Sequence, residues 1–127
     1  MTTDLDTLYH RAGGTPFFEA LVGSFYAGVA TDPVLRAIYP EADLAAAERR
    51  LRLFLIQYWG GPRTYDEERG HPRLRLRHGP FAIGPAERDR WLTHMRAAIA
   101  ASAPSDDVAA ELERYFTMAA EAMRNRE

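Results

Sequence analysis

The chain has 127 residues, 46% of them hydrophobic and 27% charged, which is the size and composition of a single globular domain. Its net charge of −2 at pH 7 excludes a protein that binds nucleic acid by neutralising phosphates, so we expect no nucleic-acid partner. Because the sequence contains no cysteine, it also excludes a disulfide framework, a thiolate nucleophile and a cysteine-ligated metal site. We expect residues 1–127 to fold as one domain around one core.

The start of the sequence has no pattern of a targeting signal. Residues 1–9 contain two acidic residues and no apolar run, unlike a signal peptide. The longest apolar stretches are far shorter than the roughly 20 residues that a membrane-spanning helix needs. We therefore expect a cytoplasmic protein with no stable insertion into a membrane.

The first predicted helix follows the helix breakers Gly13 and Gly14, where Thr15 can cap the helix and Pro16 suits its first turn. Its apolar residues recur at helical spacing, namely Phe18, Leu21, Val22, Phe25 and Val29. The Asp-Pro pair that follows predicts a second, short helix over about residues 32–39.

Asp43 is a suitable cap for a third helix. The apolar stripe of this helix consists of Leu44, Ala47, Leu51, Phe54, Leu55 and Tyr58. Gly60, Gly61 and Pro62 end it, and the polar composition of residues 63–71 predicts a loop.

Residues 72–78 allow two interpretations. Arginine and leucine alternate along them, and a period of two residues is typical of a strand. However, Pro72 can start a helix, Gly79 and Pro80 can end one, and no partner strand is evident elsewhere. We predict a short helix here.

Two longer helices complete an all-α prediction of about six helices. The first opens at Gly84 and Pro85, with a buried face of Trp91, Leu92, Met95 and Ile99. The second is capped at Ser105, with an apolar stripe of Val108, Leu112, Tyr115, Phe116, Ala119 and Met123.

Four histidines are candidates for metal or acid–base chemistry. We expect His10 and His71 to be solvated, and His94 to be partly exposed on its helix. His78 closes the short helix just before a Gly-Pro turn, so its ring can project from a fixed end. Position alone leaves two alternatives for His78, a ligand of a metal and a cation that interacts with the helix dipole.

Tyr26, Tyr39 and Trp91 place hydrogen-bond donors on otherwise apolar helical faces. Each could be an ordinary core aromatic with one satisfied hydrogen bond. Alternatively, the three donors could converge on one polar ligand in an apolar cavity. Spacing along the sequence does not decide between these alternatives.

Several runs of this sequence carry a family resemblance. In chain order they are Gly13-Gly14, Phe25-Tyr26 and residues 32–35, 38–41, 57–65, 69–75, 77–78 and 87–92. The runs Y-W-G-G-P-R-T-Y (58–65) and R-G-H-P-R-L-R (69–75) are the most specific of them. With these runs in this order, the sequence over about residues 8–123 resembles the group II truncated haemoglobins of the actinobacterial kind.

This resemblance implies an all-α fold, a globin-like two-over-two helical sandwich with a much reduced first helix, as one truncated globin domain over residues 1–127. It implies haem b (iron protoporphyrin IX) as the cofactor. By position, His78 matches the proximal ligand, so the resemblance makes His78 the protein's metal ligand. The second ring nitrogen of such a ligand is normally oriented by a hydrogen-bond acceptor.

The resemblance also assigns residues to the walls of the haem pocket. Tyr26, Tyr39 and Trp91 match the donors on the face of the haem where the ligand binds. Arg50 and Tyr65 match positions that contact the haem propionates. The other residues assigned to the pocket are Arg77, Ala47, Leu51, Phe54, Leu74, Phe81 and Met95.

The implied function is the binding of oxygen and other diatomic ligands, in oxygen binding or delivery, with donors that slow the release of oxygen. The alternative on the same fold is a haem redox enzyme, peroxidase-like or acting in detoxification of nitric oxide or reactive oxygen, with an external electron donor. A third hypothesis is a helical interaction module without haem, in which the aromatic residues are only core. The resemblance assigns no catalytic residue and is compatible with a homo-oligomer.

Overall fold

The structure is a computed structural model that describes residues 7–39, 44–70 and 83–125. Within these ranges the chain forms helices and no strand, which confirms the all-α prediction. The helices are α1 (Leu8–Ala12), α2 (Thr15–Ala30), α3 (Pro33–Arg36), α4 (Ala45–Tyr58), α5 (Thr64–Arg69), α6 (Pro85–Ser102) and α7 (Asp106–Met123).

The two-over-two arrangement appears as two helix pairs. Helix α2 packs against α4 in one pair and α6 packs against α7 in the other, and α2 also packs against α6. Large side chains at the centre of these contacts are fully buried, among them Phe18, Phe25, Met95, Leu112 and Phe116. The apolar stripes predicted for the long helices therefore face one another around a common core.

The reduced first helix implied by the resemblance is α1, which has five residues. It ends at Gly13, whose φ of 115° lies in the left-handed region that favours glycine. The predicted cap of α2 is wrong by one residue, because Gly14 occupies the cap position and Thr15 is already helical. The Thr15 hydroxyl instead lies 2.7 Å from the Tyr9 hydroxyl, and this bond ties the two helices together.

The short helix α3 begins as predicted. The Oδ1 atom of Asp32 accepts hydrogen bonds from the backbone N–H groups of Val34 (3.0 Å) and Leu35 (3.4 Å). The regular helix ends at Arg36, but the N–H of Tyr39 still donates to the carbonyl of Arg36 at 3.2 Å. A further turn thus carries the chain to Tyr39.

Helix α4 starts at Ala45 with Leu44 in the cap position. The predicted cap, Asp43, lies outside the described residues. After α4 the chain turns sharply at Gly60 and Gly61. A Cβ atom on Gly61 would lie 2.6 Å from Cγ2 of Ile56 and 2.9 Å from the Tyr9 ring, so the turn requires glycine for reasons of space.

The predicted loop over residues 63–71 is wrong, because residues 64–69 form helix α5. Two contacts with α4 stabilise it. The side-chain oxygen of Gln57 accepts a hydrogen bond from the N–H of Asp66 at 2.8 Å, and the buried Tyr65 ring packs edge-on against Phe54 at 5.7 Å. Tertiary contacts of this kind override a polar local sequence.

Helices α6 and α7 begin near their predicted starts. At α6 the N–H of Gly84 donates to Oε1 of Glu87 at 2.7 Å. Ser105 occupies the cap position of α7, but its hydroxyl donates to the Asp107 carboxylate at 2.6 Å and makes no cap hydrogen bond to the backbone. The predicted short helix over residues 72–78 lies outside the described residues.

Candidate functional site

A cavity of about 570 Å³ lies between the helices and is mostly apolar. Its lining comes from α2 through α7. The described residues that form it are Tyr26, Leu35, Ile38, Tyr39, Ala47, Arg50, Leu51, Phe54, Leu55, Tyr65, Arg69, Ile83, Glu87, Arg88, Trp91, Tyr115, Phe116, Ala119, Ala120 and Met123. An apolar cavity with a few polar groups at its wall is the general form of a small-molecule or cofactor site.

The three predicted donors all line this cavity. The Tyr26 and Tyr39 rings are 5.6 Å apart in an edge-to-face arrangement. Phe25 bridges this pair to the third donor, since its ring lies 5.0 Å from Tyr26 and 5.1 Å from Trp91. The structure therefore brings together donors that the sequence places on three separate elements.

The predicted wall residues of α4 also line the cavity. Ala47, Leu51 and Phe54 follow one another at helical spacing along the same face of α4. Ala47 is buried, and its methyl group leaves more space at this point of the wall than a larger side chain would.

Of the polar residues predicted for this site, Arg50 and Tyr65 line the cavity. Sequence reasoning missed Arg69, Arg88 and Glu87, which also line it. Glu87 has a structural role as well, because its carboxylate accepts the N–H of Gly84 at the start of α6. No local pattern in the sequence distinguishes these residues from other charged residues on helix surfaces.

Helix α7 contributes an apolar side of the cavity that was predicted only as a buried stripe. Tyr115, Phe116, Ala119 and Met123 belong to that stripe and line the cavity. Burial, with the neighbouring Tyr58, raises the pKa of Tyr115 to about 12, so its phenol stays protonated at neutral pH. Periodicity shows that one face of a helix is apolar, but it does not show what that face contacts.

Five further residues were predicted for the pocket, and the structure describes one of them, Met95. Met95 is fully buried in the core and is not among the described residues that line the cavity. Leu74, Arg77, His78 and Phe81 lie outside the described residues, and their assignments stay predictions.

Asp32 is a buried charged residue beside the elements that carry the donors. Its carboxylate is paired with His94 at 2.8 Å and with Arg90 at 3.1 Å. The hydrogen bond from His94 is the main cause that lowers the pKa of Asp32 to about 2. His94 is partly exposed, as predicted, but no local pattern indicated that it pairs with Asp32.

The Asp32 carboxylate should make stability depend on pH. A carboxyl group with a lowered pKa contributes stability that is complete above its ordinary value of 3.8 and is lost as the pH falls towards about 2. We expect Asp32→Asn, which keeps the oxygen that caps α3, to lower the free energy of unfolding at neutral pH. The difference from the wild type should shrink between about pH 4 and about pH 2.

Urea titrations followed by circular dichroism at several pH values measure this difference. The exposed Asp89, replaced by asparagine, is the matched control and should change the free energy of unfolding much less. A difference for Asp32→Asn that does not change over this pH range would show that the charge of Asp32 is not its source.

Among the described helices, none combines the length and the apolar character that crossing a membrane requires.

A two-over-two helical sandwich around an apolar cavity indicates the class of the truncated globins. Within that class, a family model described as bacterial-like globin matches residues 7–125, and the chain belongs to that family.

Sequence and structural similarity to known truncated haemoglobins supports this family membership. The chain is 44% identical over 90 residues to the group 2 truncated hemoglobin YjbI of Bacillus subtilis, an alignment that covers 71% of this chain and 67% of that protein. A thermostable hemoglobin from the actinobacterium Thermobifida fusca is 60% identical, with a TM-score of 0.92 over 94% of this chain and 97% of that one. A truncated oxygen-avid haemoglobin from Bacillus subtilis is 37% identical, with a TM-score of 0.89 over 94% of this chain and 100% of that one.

The comparisons confirm the resemblance to group II truncated haemoglobins and the truncated globin fold. The chain spans about two thirds of the length of two curated relatives that it matches, 67% of the Bacillus subtilis protein and 62% of one from Lotus japonicus. Membership of a globin family supports a haem cofactor and the binding of diatomic ligands such as oxygen.

Proposed function

We propose that this protein is an oxygen-binding haem protein, a single truncated globin domain over residues 1–127 that holds haem b in the cavity. The proposal assigns the protein ligand of the iron to His78 and the donors to the bound ligand to Tyr26, Tyr39 and Trp91. One observation carries it, namely that donors from three separate elements line one apolar cavity.

The residues of the cavity fit a haem. Its volume of about 570 Å³ lies in the usual range for cofactor and ligand sites. Leu51, Phe54 and Phe116 supply apolar wall against which a flat macrocycle can pack. Arg50 supplies a guanidinium at the wall, the group best suited to hold a propionate carboxylate.

The assignment of the iron ligand comes from the family resemblance. His78 occupies the position of the proximal histidine, and a neutral imidazole is a common axial ligand of haem iron. Arg77, next to it, is a second candidate partner for a propionate. Leu74 and Phe81, in the same segment, would supply apolar contacts to the haem.

A haem bound here supplies an iron atom that binds a diatomic molecule such as oxygen. The protein then determines how long that ligand stays. The hydroxyls of Tyr26 and Tyr39 and the indole N–H of Trp91 can donate hydrogen bonds to a ligand that carries partial negative charge. Each such bond contributes on the order of 1.5–3 kcal/mol, so the site is suited to slow release of oxygen. Carbon monoxide is less polar when bound and should gain less.

A similar protein from Bacillus subtilis, 37% identical, is described as oxygen-avid, and slow release would give the present protein the same property. Retention of oxygen supports the oxygen-binding part of the proposed role in oxygen binding or delivery.

Absorption spectroscopy of the purified protein tests the proposal. We expect an intense Soret band, and shifts of that band when the reduced protein takes up oxygen or carbon monoxide. Acidified acetone should extract the haem, since haem b is not covalently attached. A colourless protein that fails to take up added haemin would contradict the proposal.

A further inference from the structure

A cluster of polar side chains joins three helices outside the cavity. Asp32, whose side chain is only 5% exposed, accepts hydrogen bonds from the backbone at the start of α3. The same carboxylate is bonded to Nε2 of His94 at 2.8 Å and to the guanidinium of Arg90 at 3.1 Å, both on α6. The Asp32 carboxylate therefore accepts hydrogen bonds both from the start of α3 and from two side chains of α6.

Helix α2 provides the surface on which the His94 ring lies. A Cβ atom on Gly28 would be 2.4 Å from Nδ1 of His94 and 3.1 Å from its Cγ. The imidazole thus lies directly against the backbone of α2, where only glycine leaves room for it. One histidine therefore contacts α2 through its ring and α3 through its Nε2 atom.

Each part of the cluster lies close in sequence to one of the three donors. Arg90 and His94 are one turn apart on α6, and Trp91 lies between them in the sequence. Tyr26 lies two residues before Gly28 on α2, and the chain that starts at Asp32 leads to Tyr39. Helices α2, α3 and α6 thus meet at His94, two of them carrying a donor and the third leading to Tyr39.

We propose that His94 is a positioning residue for the Trp91 donor of the cavity, because it holds α6 against α2 and α3 and so keeps the Trp91 indole in place. The inference rests on the proposed function, in which Trp91 donates to the ligand. N–H···O hydrogen bonds have donor–acceptor distances of about 2.7–3.2 Å and weaken steeply when the angle at the hydrogen falls below about 120°. A small shift of α6 would therefore weaken the bond from Trp91 although Trp91 itself is unchanged.

The test compares oxygen dissociation rates of the haem-loaded protein by stopped-flow spectroscopy. His94→Leu removes the bond to Asp32 and should raise the rate by about two- to tenfold, less than Trp91→Phe does. His94→Gln keeps an N–H donor within reach of Asp32 and should restore a rate near that of the wild type. Thr93→Ala, at an exposed neighbour on α6 whose hydroxyl donates to the Asp89 carbonyl of the same helix, should leave the rate unchanged.

Gly28→Ala provides an independent variant, because its Cβ atom would displace the His94 ring without changing the imidazole itself. It should raise the rate as His94→Leu does. The infrared stretch of bound carbon monoxide reports the hydrogen bonding around the ligand, and both variants should shift it. A role in stability alone would change the unfolding midpoint but not this frequency.

Combined variants separate this inference from the proposed function. With Trp91→Phe already in place, His94→Leu should give no further increase in rate, since the two act through the same donor. If Trp91→Phe releases oxygen faster but His94→Leu behaves as the wild type, the positioning role is overturned and the proposed function stands. If neither Trp91→Phe nor Tyr26→Phe changes the rate, the proposed donors themselves are wrong.

Discussion

Replacing Trp91 by phenylalanine should raise the oxygen dissociation rate by about tenfold or more. The substitution removes the indole N–H but keeps an aromatic ring, which can retain the contacts that Trp91 makes with Phe25 at 5.1 Å and Phe116 at 5.6 Å. The lost hydrogen bond is worth on the order of 1.5–3 kcal/mol, which corresponds to a factor of about ten or more in rate. Stopped-flow displacement of oxygen by carbon monoxide measures the change.

Tyr26→Phe should have an effect of the same order, because it removes one hydroxyl from the cavity and leaves the ring in place. The matched control is Tyr58→Phe, the same chemical change at a tyrosine that is half exposed and does not line the cavity. The dissociation of carbon monoxide should change less than that of oxygen in both cavity variants. Equal acceleration of the two ligands would indicate a more open cavity, in contradiction to the loss of a hydrogen bond.

The long helices could be predicted from the sequence because the signals that specify them are local. Apolar residues at helical spacing, with Ser105 at a helix start and Gly60 after a helix end, placed α2, α4, α6 and α7 close to their observed bounds, and Asp32 marked the start of the short α3. The exact caps were less predictable. Gly14 stands where Thr15 was expected, because the Thr15 hydroxyl forms a tertiary bond with Tyr9.

Helices α1 and α5 could not be predicted from local pattern, since each is short and depends on contacts made elsewhere. The N–H of Tyr9 in α1 donates to the carbonyl of Trp59 at 3.1 Å, close to the end of α4. Helix α5 depends on Gln57 and Phe54 of α4. A helix of five or six residues has too few internal hydrogen bonds to be stable alone, so its sequence carries a weak signal.

The candidate site, like the fold, could be predicted only in part from the sequence. The donors were identifiable from their chemistry, but spacing could not show that Tyr26, Tyr39 and Trp91 surround one cavity. The pair of Asp32 and His94 was missed because 62 residues separate its members and neither belongs to a motif. Contacts over such distances in sequence are set by helix packing, which a single sequence does not display.

Removing the imidazole of residue 78 should have the largest effect on the protein. In His78→Gly, the iron loses the only axial ligand that the proposal assigns to the protein, and haem retention should fall by more than roughly 10- to 100-fold. Changing a group that merely orients a metal ligand already costs about that much affinity. Transfer of haem to an excess of apomyoglobin, followed at the Soret band, measures the rate of loss.

Added imidazole distinguishes a lost ligand from a misfolded variant. If the glycine variant fails only because a nitrogen ligand is missing, imidazole from solution should restore the absorption spectrum and slow the loss of haem. His10→Ala is the matched control, since His10 is exposed and its ring is bonded to the Thr7 side chain at 3.2 Å, so haem retention should not change. A His78→Gly variant that keeps the spectrum and the haem of the wild type would show that His78 is not the residue that binds the iron.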